Sequence, residues 1–153
     1  MKIVYVSAPF VGDGTKNCIE ENIKKAKEYA NALANKGIGV FCPNAHDIQP
    51  TALDLTKRQR FFYEMDSEFL VRSDALVAIP EWETSFGVRH EVEIAKEMGL
   101  PIFYPKSPDD LKEIEDWYFK EDESGGAPQD NVDWDKVIDM RRAMSKYTFA
   151  KTA

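Results

Sequence analysis

The 153-residue sequence predicts an α/β fold, a three-layer sandwich around a parallel Rossmann- or flavodoxin-like sheet of four to five strands with a helical C-terminal extension. Two observations predict it. Short β-rich runs alternate with amphipathic helical segments, and one run, residues 75–80, is apolar throughout, as in a strand buried on both faces. Single helices between successive strands imply right-handed crossovers, which make the strands parallel.

The first half of the chain predicts two strands, each followed by a helix. Residues 2–7 form a β-rich run, and a glycine-containing loop follows it. We expect Asn17 to cap the first helix through a capping box and Gly37 to end it. Residues 38–42 predict the second strand, and residues 57–73 predict the second helix.

The second half continues the pattern and then changes. After the apolar third strand, the sequence predicts a helix over residues 87–98 and a fourth strand over residues 101–104. Two further helical segments, residues 108–119 and 132–147, flank an acidic segment, residues 120–131, which we expect to be a mobile loop. The sequence thus divides into an α/β domain, residues 1–105, and a C-terminal extension, residues 106–153, which is either a cap or an oligomer contact.

Composition excludes several functional classes. The formal net charge of −7 argues against binding a nucleic-acid polymer or an anionic membrane, since both need a basic patch. No apolar run approaches the roughly 18–20 residues of a membrane span. Cys18 and Cys42 are too few for a disulfide framework, and they lack zinc-like spacing. We therefore expect reduced thiols in a cytoplasmic protein.

The loop after the third strand is the most informative candidate site, because ligands of such sheets bind at the carboxyl ends of the strands. Ser85 and Gly87 lie where this strand gives way to a helix, and free amides at a helix N-terminus bind anions or hydroxyls. Glu91 follows about one turn inside the helix, so its carboxylate can lean back toward the strand ends. On its own, an ordinary solvated helix Glu explains this residue as well.

The spacing Ser-x-Gly-x-x-x-Glu after an apolar strand resembles the nucleoside 2-deoxyribosyltransferase family, nearest to its branch of deoxynucleoside-monophosphate N-glycosidases. Two more segments are similar to the family's motifs. One has the pattern Asp-x-x-x-Leu-x-x-x-Asp and leads into the third strand from Asp66, and the other is the first strand with its loop, residues 4–10. The resemblance covers about residues 2–105.

The resemblance implies a role for each matching residue. Glu91 would attack the anomeric carbon of a deoxyribosyl group and form a covalent sugar–enzyme ester. Tyr5 would orient Glu91, and Asp66 would contact the sugar or help to protonate the leaving base. Ser85 and Gly87 would bind the 5′ end of the substrate. A serine suits a 5′-phosphate, but the first loop lacks the arginines of the glycosidase branch, so the phosphate requirement stays open.

Aromatic residues at the strand ends are candidates for binding a base. Phe10 and Trp82 would sandwich a flat base, with each stacking contact contributing ~1–3 kcal/mol. Gly12, in the same loop as Phe10, is a further candidate substrate-binding residue. Loop packing explains Phe10 equally well. His46 follows the second strand and is a candidate base contact, although a lone loop histidine is more often incidental.

The resemblance therefore implies an enzyme that cleaves, or transfers at, the N-glycosidic bond of a 2′-deoxynucleoside or its 5′-monophosphate, and it implies no metal or cofactor. The resemblance also implies a homo-oligomer, a dimer or larger, in which a neighbouring subunit closes the site. Two alternatives remain open: a TIR-like hydrolase of NAD or nucleotides, and a nucleotide-sensing module without catalysis.

Overall fold

The computed structural model describes residues 1–120 and 132–146, which fold around a four-stranded, all-parallel sheet. The strands are β1 (Ile3–Ser7), β2 (Gly39–Phe41), β3 (Ala75–Ala78) and β4 (Ile102–Phe103). Five α-helices accompany them in the described part of the chain: α1 (Lys16–Asn35), α2 (Leu55–Val71), α3 (Phe86–Glu97), α4 (Lys112–Phe119) and α5 (Trp134–Lys146). The predicted α/β fold with a helical C-terminal part is confirmed. The predicted acidic loop lies, from residue 121 on, outside the described residues.

The strand order, β2-β1-β3-β4, creates a switch point beside β1. β1 pairs with β2 on one side and with β3 on the other, so that Tyr5 aligns with both Phe41 and Leu76. The chain moves outward from β1 to β2 and then crosses back to β3. In open parallel sheets, ligands bind in the crevice outside the carboxyl ends of the strands at such a reversal.

Helices cover both faces of the sheet. Successive side chains of a strand point to opposite faces, so β1 contributes side chains to two cores. Val4 and Val6 of β1 pack with α1 and with Ile114 of α4 in one core. Tyr5 packs in a second core on the opposite face, which includes Val88 of α3 and Val137 of α5. The Tyr5 side chain therefore points toward the layer of helices that contains α3.

The start of α1 corrects one prediction. Thr15, not Asn17, is the N-cap, and its hydroxyl accepts a hydrogen bond from the Cys18 amide at 3.2 Å. Asp13 selects the earlier residue, because its carboxylate accepts hydrogen bonds from both the amide and the hydroxyl of Thr15. The predicted end is right: Gly37 has a φ of +78°, and its amide donates to the last turn of α1.

Both C-terminal helices pack against the rest of the fold. The Tyr118 hydroxyl of α4 accepts a hydrogen bond from the Gly39 amide at 2.9 Å and donates to the Lys2 carbonyl at 3.0 Å. α5 packs against α2 and α3. None of the helices that the structure describes is long and apolar enough to cross a bilayer. The predicted division at residue 105 and the choice between cap and oligomer contact stay predictions.

Candidate functional site

Two hydroxyl groups of β1 hold the carboxylate of Glu91. Tyr5 and Ser7 are two residues apart on the strand, so their side chains point to the same face of the sheet. The Tyr5 hydroxyl donates a hydrogen bond to Oε1 of Glu91 at 2.7 Å, and the Ser7 hydroxyl donates one to Oε2. Tyr5 and Ser7 are buried, with 0% and 1% of their surface exposed, whereas Glu91 is half-buried. Glu91 is thus held at both oxygens and still reaches accessible surface.

A second carboxyl group, that of Asp66 on α2, lies near Glu91. Burial, and then the negative charge of Glu91, raise the pKa of Asp66 to about 8. Its Oδ1 is inaccessible to solvent and has no hydrogen-bond partner among the described residues. Burial also raises the pKa of Glu91, but the hydrogen bonds from Ser7 and Tyr5 oppose that rise. Because the charge of Glu91 is one of the causes that raise the pKa of Asp66, Glu91 ionises first, and Asp66 keeps its proton up to about pH 8.

Neighbouring groups keep their protons as well. Burial, followed by the charges of Glu91 and Asp66, raises the pKa of Tyr5 well above its ordinary value, so this phenol stays a donor. Cys42, just after β2, is buried, and burial raises the pKa of its thiol to about 11. A neutral thiol is a poor nucleophile. Tyr5 and Cys42 therefore stay neutral, and the ionisable groups left in this cluster are the carboxyls of Glu91 and Asp66.

Two aromatic pairs flank Asp66. On α2, Phe62, Asp66 and Phe69 are spaced i, i+4 and i+7, and they share one face of the helix. Phe62 stacks on His46 with 5.3 Å between ring centroids, and Phe69 stacks on Phe41 at 4.1 Å. Phe69 is 43% exposed. This α2 face thus joins a protonated acid to aromatic surface that remains accessible.

The loop after β3 leads into α3. Ser85 caps this helix, and its hydroxyl accepts a hydrogen bond from the Val88 amide at 3.4 Å. Gly87 lies in the first turn, where an added Cβ would meet no atom within 4 Å. Neither crowding nor a left-handed φ requires a glycine there. Trp82 packs beside Tyr104, with 5.1 Å between ring centroids.

The loop after β1 contains the other two predicted binding residues. Phe10 is 46% exposed, and its carbonyl accepts a hydrogen bond from Asn22 of α1 at 3.0 Å. Gly12 has a φ of +56°, and an added Cβ would lie 2.2 Å from Sγ of Cys18. Close packing of the loop against α1 therefore accounts for Gly12 without a ligand. Its role in binding, like that of Phe10, stays a prediction.

The three predicted catalytic residues, Glu91, Tyr5 and Asp66, come together, although their roles stay predictions. The predicted binding residues lie on three separate loops, after β1, β2 and β3, except Gly87, which lies in the first turn of α3. Sequence reasoning missed Ser7, although a polar residue two positions after Tyr5 on an otherwise apolar strand is a usable signal. Within residues 1–120 and 132–146, no group of three or more His, Cys, Asp or Glu side chains could hold a metal ion.

Comparison with known proteins identifies the family and gives no activity. Residues 2–106 match the model of the family described as "Domain of unknown function (DUF1937)", and the chain belongs to this family. No curated protein matches the sequence. Any functional conclusion therefore depends on the chemistry of the site itself.

Proposed function

We propose that this DUF1937 protein cleaves, or transfers at, the N-glycosidic bond of a 2′-deoxynucleoside or its 5′-monophosphate, with Glu91 as nucleophile. The observation that carries the proposal is the pairing of Glu91, held at both oxygens by Tyr5 and Ser7, with the protonated Asp66. Most glycosidases cleave the glycosidic bond with two carboxyl groups whose pKa values differ.

The first step breaks the bond between C1′ and the base. A Glu91 carboxylate oxygen attacks C1′, and the electron pair of the C–N bond leaves with the base. Asp66 donates its proton to the departing nitrogen and becomes a carboxylate. The products are a free base and a deoxyribosyl ester of Glu91. Protonation by a neutral acid contributes about 10²–10⁴-fold to such a step.

The second step releases the enzyme. Water, or the nitrogen of a second base, attacks C1′ of the ester and displaces the Glu91 carboxylate. The Asp66 carboxylate takes the proton from the entering group and returns to its neutral form. Hydrolysis and transfer differ only in the entering group, and both retain the configuration at C1′ because two displacements occur.

Other features support a nucleoside or nucleotide as the substrate. Phe69 and the stacked pair of Phe62 and His46 offer aromatic surface beside Asp66, where a flat leaving group would lie. Ser85 and the open Gly87 are at the start of α3, where amides and the positive end of the helix dipole favour an oxygen-rich 5′ group.

The proposal includes a cytoplasmic location, from the cysteine content, and a homo-oligomer, from the family resemblance. Cys18 and Cys42 are both free thiols, which agrees with a reducing compartment. Sedimentation velocity measures the oligomeric state. A monomer at micromolar concentration would contradict the proposed assembly.

Base release tests the reaction. The protein is incubated separately with each common deoxynucleoside, each 5′-monophosphate and NAD, and free base is measured by chromatography. We expect release from deoxynucleosides or their monophosphates, lost in Glu91→Gln and retained in Glu93→Gln, a matched change at an exposed position two residues along α3. Release from NAD alone would favour the TIR-like alternative. No release from any compound would overturn the catalytic proposal and leave the nucleotide-sensing alternative.

A further inference from the structure

We infer that Ser7 is a positioning residue: with Tyr5 it holds Glu91 at both carboxylate oxygens, and it makes Glu91, rather than Asp66, the ionised member of the pair. The catalytic consequence of this inference rests on the proposed function. The effect of Ser7 on the ionisation of Glu91 does not rest on the proposed function, because the order in which two carboxyl groups ionise is measurable without a substrate.

The Ser7 hydroxyl is fixed in place by the sheet. Ser7 is the last residue of β1 and pairs with Ala78 of β3, and its carbonyl accepts a hydrogen bond from the Ile79 amide at 3.1 Å. With only 1% of the residue exposed, water does not compete for the hydroxyl. A buried hydroxyl needs a partner, and Glu91 provides it. The donor is therefore already oriented before any ligand arrives.

The number of donors distinguishes the two carboxyl groups. Burial disfavours a charge on either group, and a charge on one disfavours a charge on the other. Glu91 accepts hydrogen bonds from two hydroxyls, whereas Oδ1 of Asp66 accepts none from the described residues. Hydrogen bonds to the charged form favour ionisation, so the first proton leaves Glu91. Without the Ser7 hydroxyl, Glu91 keeps only one hydrogen-bond donor, and the difference between the pKa values of Glu91 and Asp66 becomes smaller.

The Tyr5 and Ser7 hydroxyls, rather than a nearby cation, favour the charged form of Glu91. Tyr5 from β1, Cys42 after β2 and Asp66 from α2 all interact with its charge, and none is a cation. Several basic groups of α3 and α5 contact other residues. Lys136 contacts Glu97, and Arg141 contacts Glu68. Arg89 lies over the Phe86 ring, and His90 faces Glu93. Among the described residues, only Ser7 and Tyr5 lower the pKa of Glu91.

Carboxyl-carbon NMR titration of the full chain tests the inference directly. In the parent protein, we expect the Glu91 carbon to report the first ionisation and the Asp66 carbon the second. In Ser7→Ala, we expect the first step to move up by about one pH unit and to appear at both carbons, because the pair then shares the proton more evenly. Ser7→Thr, which keeps the hydroxyl, should restore the parent titration.

Two further variants separate positioning from general packing. Ser73→Ala removes another buried hydroxyl, just after α2. The oxygen of that hydroxyl lies 2.9 Å from its acceptor, the Phe69 carbonyl. Ser73→Ala should leave both titrations unchanged. Ser7→Cys keeps the size of the side chain but offers a weaker donor, so the first ionisation should shift by an intermediate amount. This variant tests the role of the hydroxyl if Ser7→Ala does not fold. A parent-like titration of Ser7→Ala or of Ser7→Cys, or an equal shift in Ser73→Ala, would overturn the inference.

The catalytic consequence has its own readout. If the parent releases base, the acidic limb of the kcat/KM profile should move up by the same amount, about one pH unit, in Ser7→Ala and return in Ser7→Thr. An unmoved limb would overturn the catalytic part. If the parent releases no base, the proposed function fails, while the NMR titration still decides whether Ser7 controls the ionisation of Glu91.

Discussion

Replacing Asp66 by Asn should change the dependence of stability on pH. The folded state raises the pKa of Asp66 from 3.8 to about 8, chiefly by burial. Between about pH 4 and pH 8 the folded protein therefore binds more protons than the unfolded chain, so the Asp66 contribution is full at the acidic end and is lost as pH rises. A shift of about 4 units corresponds to about 5–6 kcal/mol. Asparagine has a similar shape and no charge, so the variant lacks this loss.

Urea unfolding at several pH values measures the effect. The free energy of unfolding of Asp66→Asn minus that of the parent should increase steadily from about pH 4 to about pH 8, by up to about 5 kcal/mol. Asp109→Asn, at an exposed aspartate, should run parallel to the parent. A difference between Asp66→Asn and the parent that does not change with pH would refute the argument that Asp66 is a buried, protonated acid.

Four further variants test other contacts of the fold and the site. Tyr5→Phe removes one donor from Glu91 while the ring stays in the core, so base release should fall by about 10–100-fold, with a loss of only about 1 kcal/mol of stability by urea unfolding. Gly87→Ala should raise the melting temperature by about 2–4 °C, because helix propensity improves by about 1 kcal/mol in open space, and should raise KM if the substrate approaches this backbone. Gly39→Ala is its contrast and should destabilise the fold, because the added Cβ would lie 2.4 Å from a main-chain carbonyl. Tyr118→Phe should lower the free energy of unfolding by about 1–3 kcal/mol, since the Gly39 amide loses its acceptor.

The sequence was sufficient to predict the fold and the meeting of three distant residues. Alternating strands and helices predict a parallel sheet, and the resemblance brings Tyr5, Asp66 and Glu91 to one end of it. The structure joins Tyr5 to Glu91 by a hydrogen bond and brings Asp66 close enough to respond to the charge of Glu91. Strand periodicity also predicts that Tyr5 faces away from Val4 and Val6, as the two cores show.

Other features depend on contacts that sequence patterns do not encode. Thr15 and Asn17 are both good N-cap residues, and only the contact with Asp13 selects Thr15. The stacking of Phe69 on Phe41 depends on how α2 lies across β2. The role of Ser7 depends on the distance between β1 and α3, because a serine at the end of a strand is compatible with many environments.

Capture of the covalent intermediate shows whether Glu91 is the nucleophile. The protein is mixed with the deoxynucleoside or deoxynucleotide that releases most base, quenched in acid, and analysed by intact-protein and peptide mass spectrometry. We expect one added deoxyribosyl group on the peptide that contains Glu91, and none in Glu91→Gln. Base release by Glu91→Gln at the parent rate, or an adduct on any other residue, would contradict the role of Glu91 as the nucleophile.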